Sequence, residues 1–136
     1  MGRINERYLL LEKTLETLNS SIKKLQEVEP ESYYYTELRD SSIQRFEYSL
    51  DTLWKYLKEY LQIKHGIQAA ASPKTIFKQC LDLKEISETE HAILRDMVED
   101  RNLTSHAYNV ELAEKIAYAI PDYYTHLYAI FSKTCP

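Results

Sequence analysis

The sequence predicts an all-α protein, an antiparallel bundle of five to six helices. Three observations carry that expectation. The 136 residues hold only 2 Gly and 4 Pro, so tight turns are few and long helices are favoured. Apolar residues recur at alternating intervals of three and four, the period of a buried helix face. An all-β sandwich needs a turn signal roughly every 8–12 residues, and none appear at that rate.

The elements follow in order. Over about 3–28, Tyr8, Leu11, Leu15, Leu18, Ile22 and Leu25 form a seam of the coiled-coil type, with Glu12, Lys13, Glu16, Lys23 and Lys24 on the solvated side. Pro30 ends this helix, and residues 27–31 connect it to the next. Over about 33–64, Ile43, Phe46, Leu50, Leu53, Leu57 and Leu61 repeat the spacing, and Trp54 and Tyr60 widen the stripe. Such a helix spans roughly 45 Å at 1.5 Å per residue. Two long helices sharing one seam period pack antiparallel at a shallow angle. Gly66 after His65 reads as a left-handed cap.

Ala69-Ala70-Ala71-Ser72-Pro73 reads as a short break, with Ser72 and Pro73 a helix start signal. A short helix follows over about 74–83, burying Ile76, Phe77 and Leu81. Ser87 and Glu90 form a capping box that opens a helix carrying Ile93, Leu94, Met97 and Val98, up to about Arg101. The last helix, about 109–133, places Leu112, Ile116, Ile120, Tyr124, Leu127 and Phe131 on one stripe. Pro121 inside it predicts a kink or a restart.

Composition narrows the function classes. The length fits one domain over 1–136, large enough to bury roughly 70% of its unfolded surface. With 17 Lys+Arg against 21 Asp+Glu, the net charge is -4, so any RNA contact is expected to be local rather than general. No run of 18 apolar residues occurs, and the first residues lack the apolar core of a secretory signal. A cytoplasmic location without membrane contact is expected. Cys80 and Cys135 lack CxxC spacing and read as reduced thiols.

Common catalytic signatures are absent from the sequence. Two glycines cannot build a phosphate loop, and no GxSxG or HExxH occurs. His65, His91, His106 and His126 are scattered. Glu90, His91, Asp96, Glu99 and Asp100 read as a solvated face rather than metal ligands. No metal or cofactor is expected.

The stretch Arg101-Asn102-Leu103-Thr104-Ser105-His106-Ala107-Tyr108 is different, because polar and titratable residues crowd where the apolar period falters. In a continuous helix Arg101 and His106 would lie roughly 140° apart. A break after Arg101, or a twofold axis between copies, would bring such groups together. Arg offers a planar fork to a phosphate and to the charge that develops on it. His titrates near neutrality, so it can take a 2′-hydroxyl proton or protonate the leaving oxygen. Brought into one cleft, such a pair would form a workable metal-free device for RNA cleavage, although spacing alone favours the structural alternative. The structural alternative is a polar junction in which Thr104 or Ser105 caps the next helix and His106 bonds a backbone carbonyl.

Arg101-Asn102, three residues, then His106-Ala107-Tyr108 resembles the Arg-x4-His-x-Tyr signature of the HEPN superfamily. The stretch from Arg95 to His106 is similar to its nucleotidyltransferase substrate-binding branch. Asp40 to Lys55, with Gln44-Arg45-Phe46-Glu47-Tyr48 and Trp54-Lys55, resembles that branch's second helix, and Ser72-Pro73-Lys74 its next helix start. The three blocks stand in the family's order and span most of the chain.

That resemblance implies a four-helix up-and-down core and a homodimer whose Arg/His motifs meet near the twofold axis. It implies a metal-independent endoribonuclease toxin, paired with a minimal nucleotidyltransferase (MNT) antitoxin that transfers AMP from ATP to the motif tyrosine. Carried over, Arg101 and His106 are catalytic, Asn102 supports the phosphate site, and Tyr108 accepts AMP. A second reading of the same branch makes the chain a non-catalytic, substrate-binding subunit of a two-part nucleotidyltransferase. Of the other tyrosines, Tyr33-Tyr34-Tyr35 and Tyr123-Tyr124 are expected in core or interface packing, with base stacking as the alternative.

Overall fold

The computed structural model describes residues 2–68 and 71–136, and the break at Ala69-Ala70 lies outside them. Five α-helices account for most of the chain: α1 (Gly2–Gln26), α2 (Tyr35–His65), α3 (Pro73–Asp82), α4 (Glu88–Leu103) and α5 (Val110–Lys133). A single 3-10 turn, Thr104–His106, lies between α4 and α5. No strand occurs among the described residues.

Contacts between helix ends define the topology. The start of α1 meets the end of α2 through Arg7 and Glu59, 2.7 Å apart. It meets the end of α5 where the Tyr8 hydroxyl donates to the Phe131 carbonyl at 2.9 Å. Arg39 near the start of α2 reaches Glu114 near the start of α5 at 3.1 Å. Tyr123 of α5 donates to Asp100 late in α4 at 2.6 Å, while Lys133 at the end of α5 pairs with Glu90 at the start of α4. Helices α1, α2, α4 and α5 therefore alternate in direction. The short α3 lies against α2 and α4.

The seams pack as their spacing requires. Leu11, Leu15, Leu18 and Ile22 of α1 are buried against Ile43, Phe46, Leu50, Leu53, Leu57 and Leu61 of α2 and Ile116, Ile120, Leu127 and Phe131 of α5, in one core cluster. Burying such a side chain contributes about 1.5–3 kcal/mol. Tyr8, Leu25, Trp54, Leu81, Ile93, Leu112 and Tyr124 are half-buried at the margins.

Local signals place most helix ends. Ser72 caps α3 by accepting from the Thr75 N–H, with Pro73 in the first turn. Both halves of the Ser87–Glu90 capping box are present. Gly66 ends α2 at φ +66°, where a Cβ would be disfavoured, and its N–H donates to the Gln62 carbonyl.

One expectation needs correction. Helix α5 does not restart at Pro121 but runs unbroken to Lys133. Ile116 and Ile120 on one side of the proline, and Tyr123 and Leu127 on the other, are all buried, so each half is anchored to the same core. Tyr33 and Tyr34 lie outside the core of the single chain, on surface where interface packing would place them. They precede α2 and are exposed, whereas Tyr35 is half-buried with its hydroxyl on Glu114. Tyr123 is buried as expected.

Candidate functional site

The motif residues occupy the junction of α4 and α5. Helix α4 passes Arg101 and ends at Leu103, so the break comes later than the sequence suggested. Thr104 turns the chain: its hydroxyl donates to the Arg101 carbonyl at 2.8 Å, and its own carbonyl accepts the Ala107 N–H at 3.1 Å. Thr104 is buried, which pins the turn to the bundle. The cap of α5 is Asn109, whose side-chain oxygen accepts the Leu112 N–H at 3.2 Å. Neither Thr104 nor Ser105 caps α5, in contrast to the structural alternative drawn from the sequence. The His106 carbonyl accepts the Asn109 N–H at 3.0 Å.

Arg101 is clamped from α2. Its Nε and Nη2 donate to the two oxygens of Asp51 at 3.4 and 3.1 Å, a bidentate fork. Nη1 lies 2.9 Å from Glu47 and donates to the Thr104 hydroxyl at 3.3 Å. The hydrogen bond to Asp51 raises the arginine's pKa, burial opposes it, and the charges of Asp51 and Glu47 add to the rise. The guanidinium stays charged at any working pH, and a third of the side chain faces solvent.

Glu47 and Asp51, which hold the motif arginine, were not assigned to the site by sequence reasoning. They stand four apart on α2, so both project from one face, beside the buried positions Phe46 and Leu50. That spacing was visible. Their target, Arg101, is 50 residues away from Asp51 along the chain and was not.

His106 and Tyr108 are exposed on the connector, their ring centroids 6.1 Å apart in an edge-on arrangement. Tyr108 is 84% exposed. Asn102 is exposed on the last turn of α4. Within the described residues no hydrogen bond or ion pair joins Arg101 to His106. The chain thus brings Arg101 together with Asp51 and Glu47, and His106 together with Tyr108, as two adjacent halves.

Three of the four acids considered as metal ligands have other partners. Glu90 completes the capping box and pairs with Lys133. Asp100 accepts the Tyr123 hydroxyl, and Glu99 pairs with Lys74 at 3.4 Å. No cluster of three or more His, Cys, Asp or Glu suited to a metal ion occurs among the described residues.

As arranged, the junction holds a guanidinium whose three nitrogens already face Asp51, Glu47 and Thr104, with an imidazole and a phenol nearby. The local charge around the arginine is one cation against two carboxylates. An incoming phosphate must compete with them.

Comparison with known proteins places this geometry in context. The family model for proteins like the nucleotidyltransferase substrate binding protein matches residues 6–134. A crystal structure of a Thermus thermophilus protein is 35% identical, covers 93% of this chain and 99% of that one, and superposes with a TM-score of 0.79. The crystal structure of a toxin–antitoxin with AMP-PNP is 16% identical, covers 92% of this chain and 97% of that one, and gives a TM-score of 0.68. At that identity the likeness is one of fold. No curated protein matches the chain.

Proposed function

The chain belongs to the family of proteins like the nucleotidyltransferase substrate binding protein, and from that premise we propose that it is the endoribonuclease toxin of a HEPN/MNT toxin–antitoxin pair. One observation carries the reading. A clamped, half-buried arginine, an exposed histidine and an exposed tyrosine occupy a single helix junction, in the order Arg101, His106, Tyr108.

In this reading Asp51 and Glu47 hold the Arg101 guanidinium in place, and the scissile phosphate displaces part of that pairing to meet it and to place the developing charge on it. His106 acts in proton transfer, taking the 2′-hydroxyl proton or protonating the 5′-leaving oxygen, with no metal or cofactor. Asn102 supports the phosphate from the same turn of α4. On this reading the working form is a homodimer of single-domain chains in the cytoplasm, with one chain's motif facing the other's across a twofold axis. Tyr108 is the control point. Its phenol oxygen attacks the α-phosphorus of ATP on the nucleotidyltransferase partner, pyrophosphate leaves, and the phenolic proton is lost. The resulting phosphodiester anion beside Arg101 occupies the place of the RNA phosphate.

The test is intact mass of the chain after incubation with the partner and ATP. Gain in whole AMP units, absent in Tyr108→Phe, supports the reading. A complex that forms without mass gain, and a wild-type chain that cuts no RNA, favour the second reading, a non-catalytic subunit presenting substrate to the nucleotidyltransferase. The observation on its side is the pairing of Arg101 with two carboxylates, which leaves little of the guanidinium free for phosphate.

A further inference from the structure

Away from the α4–α5 junction, the exposed side of α1 and α2 carries a charge unlike the rest of the molecule. A groove of about 630 Å³ runs between the two helices, lined by Lys13 and Glu16 of α1 and by Arg45, Tyr48, Asp51 and Lys55 of α2. A second groove, of about 340 Å³, shares Lys55 with it and adds Arg3, Arg7, Trp54, Lys58 and Glu59. The two together present six cations against three carboxylates, on a chain whose net charge is -4.

The cations are mostly uncommitted. Arg3 and Arg7 pair with Glu59, but Lys13, Arg45, Lys55 and Lys58 form no ion pair among the described residues. One of the carboxylates, Asp51, is paired with Arg101, which also pairs with Glu47, so the motif end of the groove holds one cation against two carboxylates. Two aromatic faces lie along the same track. Tyr48 is exposed, and the half-buried Trp54 has the Lys55 ammonium 5.9 Å from its ring centroid.

We propose that this α1–α2 groove is a binding track for single-stranded RNA, leading past Asp51 to Arg101. The proposal rests on the ribonuclease reading for its substrate class and adds the surface that holds it. Phosphates meet Lys13, Arg45 and Lys55, and bases stack on Tyr48 and Trp54, the combination by which single strands are held without sequence readout. A duplex is disfavoured, since its bases are stacked on each other and unavailable to the rings. The track also explains how a chain of negative charge can bind RNA: the excess of cations is confined to one groove, which adjoins the motif arginine through Asp51.

The test uses the full chain with His106→Ala as background, so that RNA stays intact, and reads anisotropy of a short fluorescein-labelled single-stranded RNA over a salt series. Replacing Lys13, Arg45 and Lys55 together by Gln is expected to weaken binding at least about tenfold and to flatten the log–log salt slope by about 2. Replacing Lys23, Lys24 and Lys84 by Gln removes the same charge outside the groove and is expected to change affinity less than about twofold. Tyr48→Ala is expected to cost about tenfold with the salt slope unchanged. Should the triple variant fail to fold, Lys55→Gln alone carries the test, with a slope shallower by about 0.7.

Equal effects of the two triple variants, or none from the groove triple, overturn the proposal. So does a groove triple that binds RNA normally but no longer associates with the nucleotidyltransferase, since the groove is then a protein interface. The underlying reading fails separately. RNA held by the groove but never cut by the wild-type chain preserves the track and ends the endonuclease assignment. Cleavage that needs Arg101 and His106 yet ignores the groove does the reverse.

Discussion

Arg39 and Arg101 are each held by two carboxylates, in different surroundings. Arg39 is 6% exposed near the start of α2, bonded to Asp40 and to Glu114 of α5. The Tyr35 hydroxyl joins the same Glu114 at 2.6 Å. Burial lowers the pKa of Arg39, and the bonds to Glu114 and Asp40 outweigh it. Arg101 has an equivalent pair of acids, but its side chain is a third exposed and adjoins a connector bearing His106 and Tyr108. An arginine–carboxylate pair is therefore no mark of a site. Access to solvent and uncommitted neighbours are what set Arg101 apart from Arg39, and on the proposed function they separate a reactive arginine from a structural one.

The sharpest way to test that separation is Arg101→Ala. RNA cleavage is expected to fall by at least about 100-fold, the scale of losing a positioned donor to a developing anion. The melting temperature should barely move, because a partly exposed pair contributes about 1 kcal/mol or less. Arg101→Lys is expected to lose nearly as much activity, since an ammonium cannot take the fork of Asp51. A fully active Arg101→Ala chain would sink the site.

Arg39→Ala should show the opposite pattern. Its loss leaves Glu114 without its cation beside the core, at a cost of about 2–3 kcal/mol, reduced because Glu114 is itself 43% exposed. Urea unfolding reads the change, while cleavage per folded molecule stays at the wild-type level. If Arg39→Ala abolishes cleavage in a chain that is still folded, the comparison breaks.

A finer test uses alkaline pH. The hydrogen bond to Glu114 and burial raise the pKa of Tyr35 above its ordinary value of 10.0. Its folded state thus keeps the proton when the unfolded chain releases it. The stability this contributes is full below pH 10 and is lost as pH rises through the folded value. Tyr35→Phe should cost about 1 kcal/mol near neutrality and show a shallower alkaline decline than wild type. The Arg101 cluster contains no tyrosine, so Arg101→Ala should leave that decline unchanged. Matching urea titrations at neutral and alkaline pH decide it.

The smallest expected effect concerns the connector. Asn109→Ala removes the cap of α5 and should cost about 0.5–1 kcal/mol. It should also raise hydrogen exchange at Leu112, whose N–H the cap holds. Exchange rising as much at Ile130 as at Leu112 would mean the whole helix is loosened and not its first turn.

Much of this molecule follows from local rules. The seam of Leu11, Leu15, Leu18 and Ile22, the Ser87–Glu90 box and the Gly66 cap each depend on residues within one or two turns, and each forms as its spacing requires. Pro121 shows where a local rule loses. A proline inside a helix costs about 3 kcal/mol or more, and the buried residues on both sides of it outweigh that cost.

The motif Arg101, His106 and Tyr108 was legible as a string, together with its place at a helix junction. The partners of the arginine were not, because Asp51 and Glu47 come to it from another helix. Their approach depends on how α2 and α4 cross, which the summed packing of the seams sets. The basic groove is likewise divided between α1 and α2. Spacing along the chain determines which face of a helix is apolar. Only the docking of those faces decides which charged side chains, on the remaining surface, come to share a site.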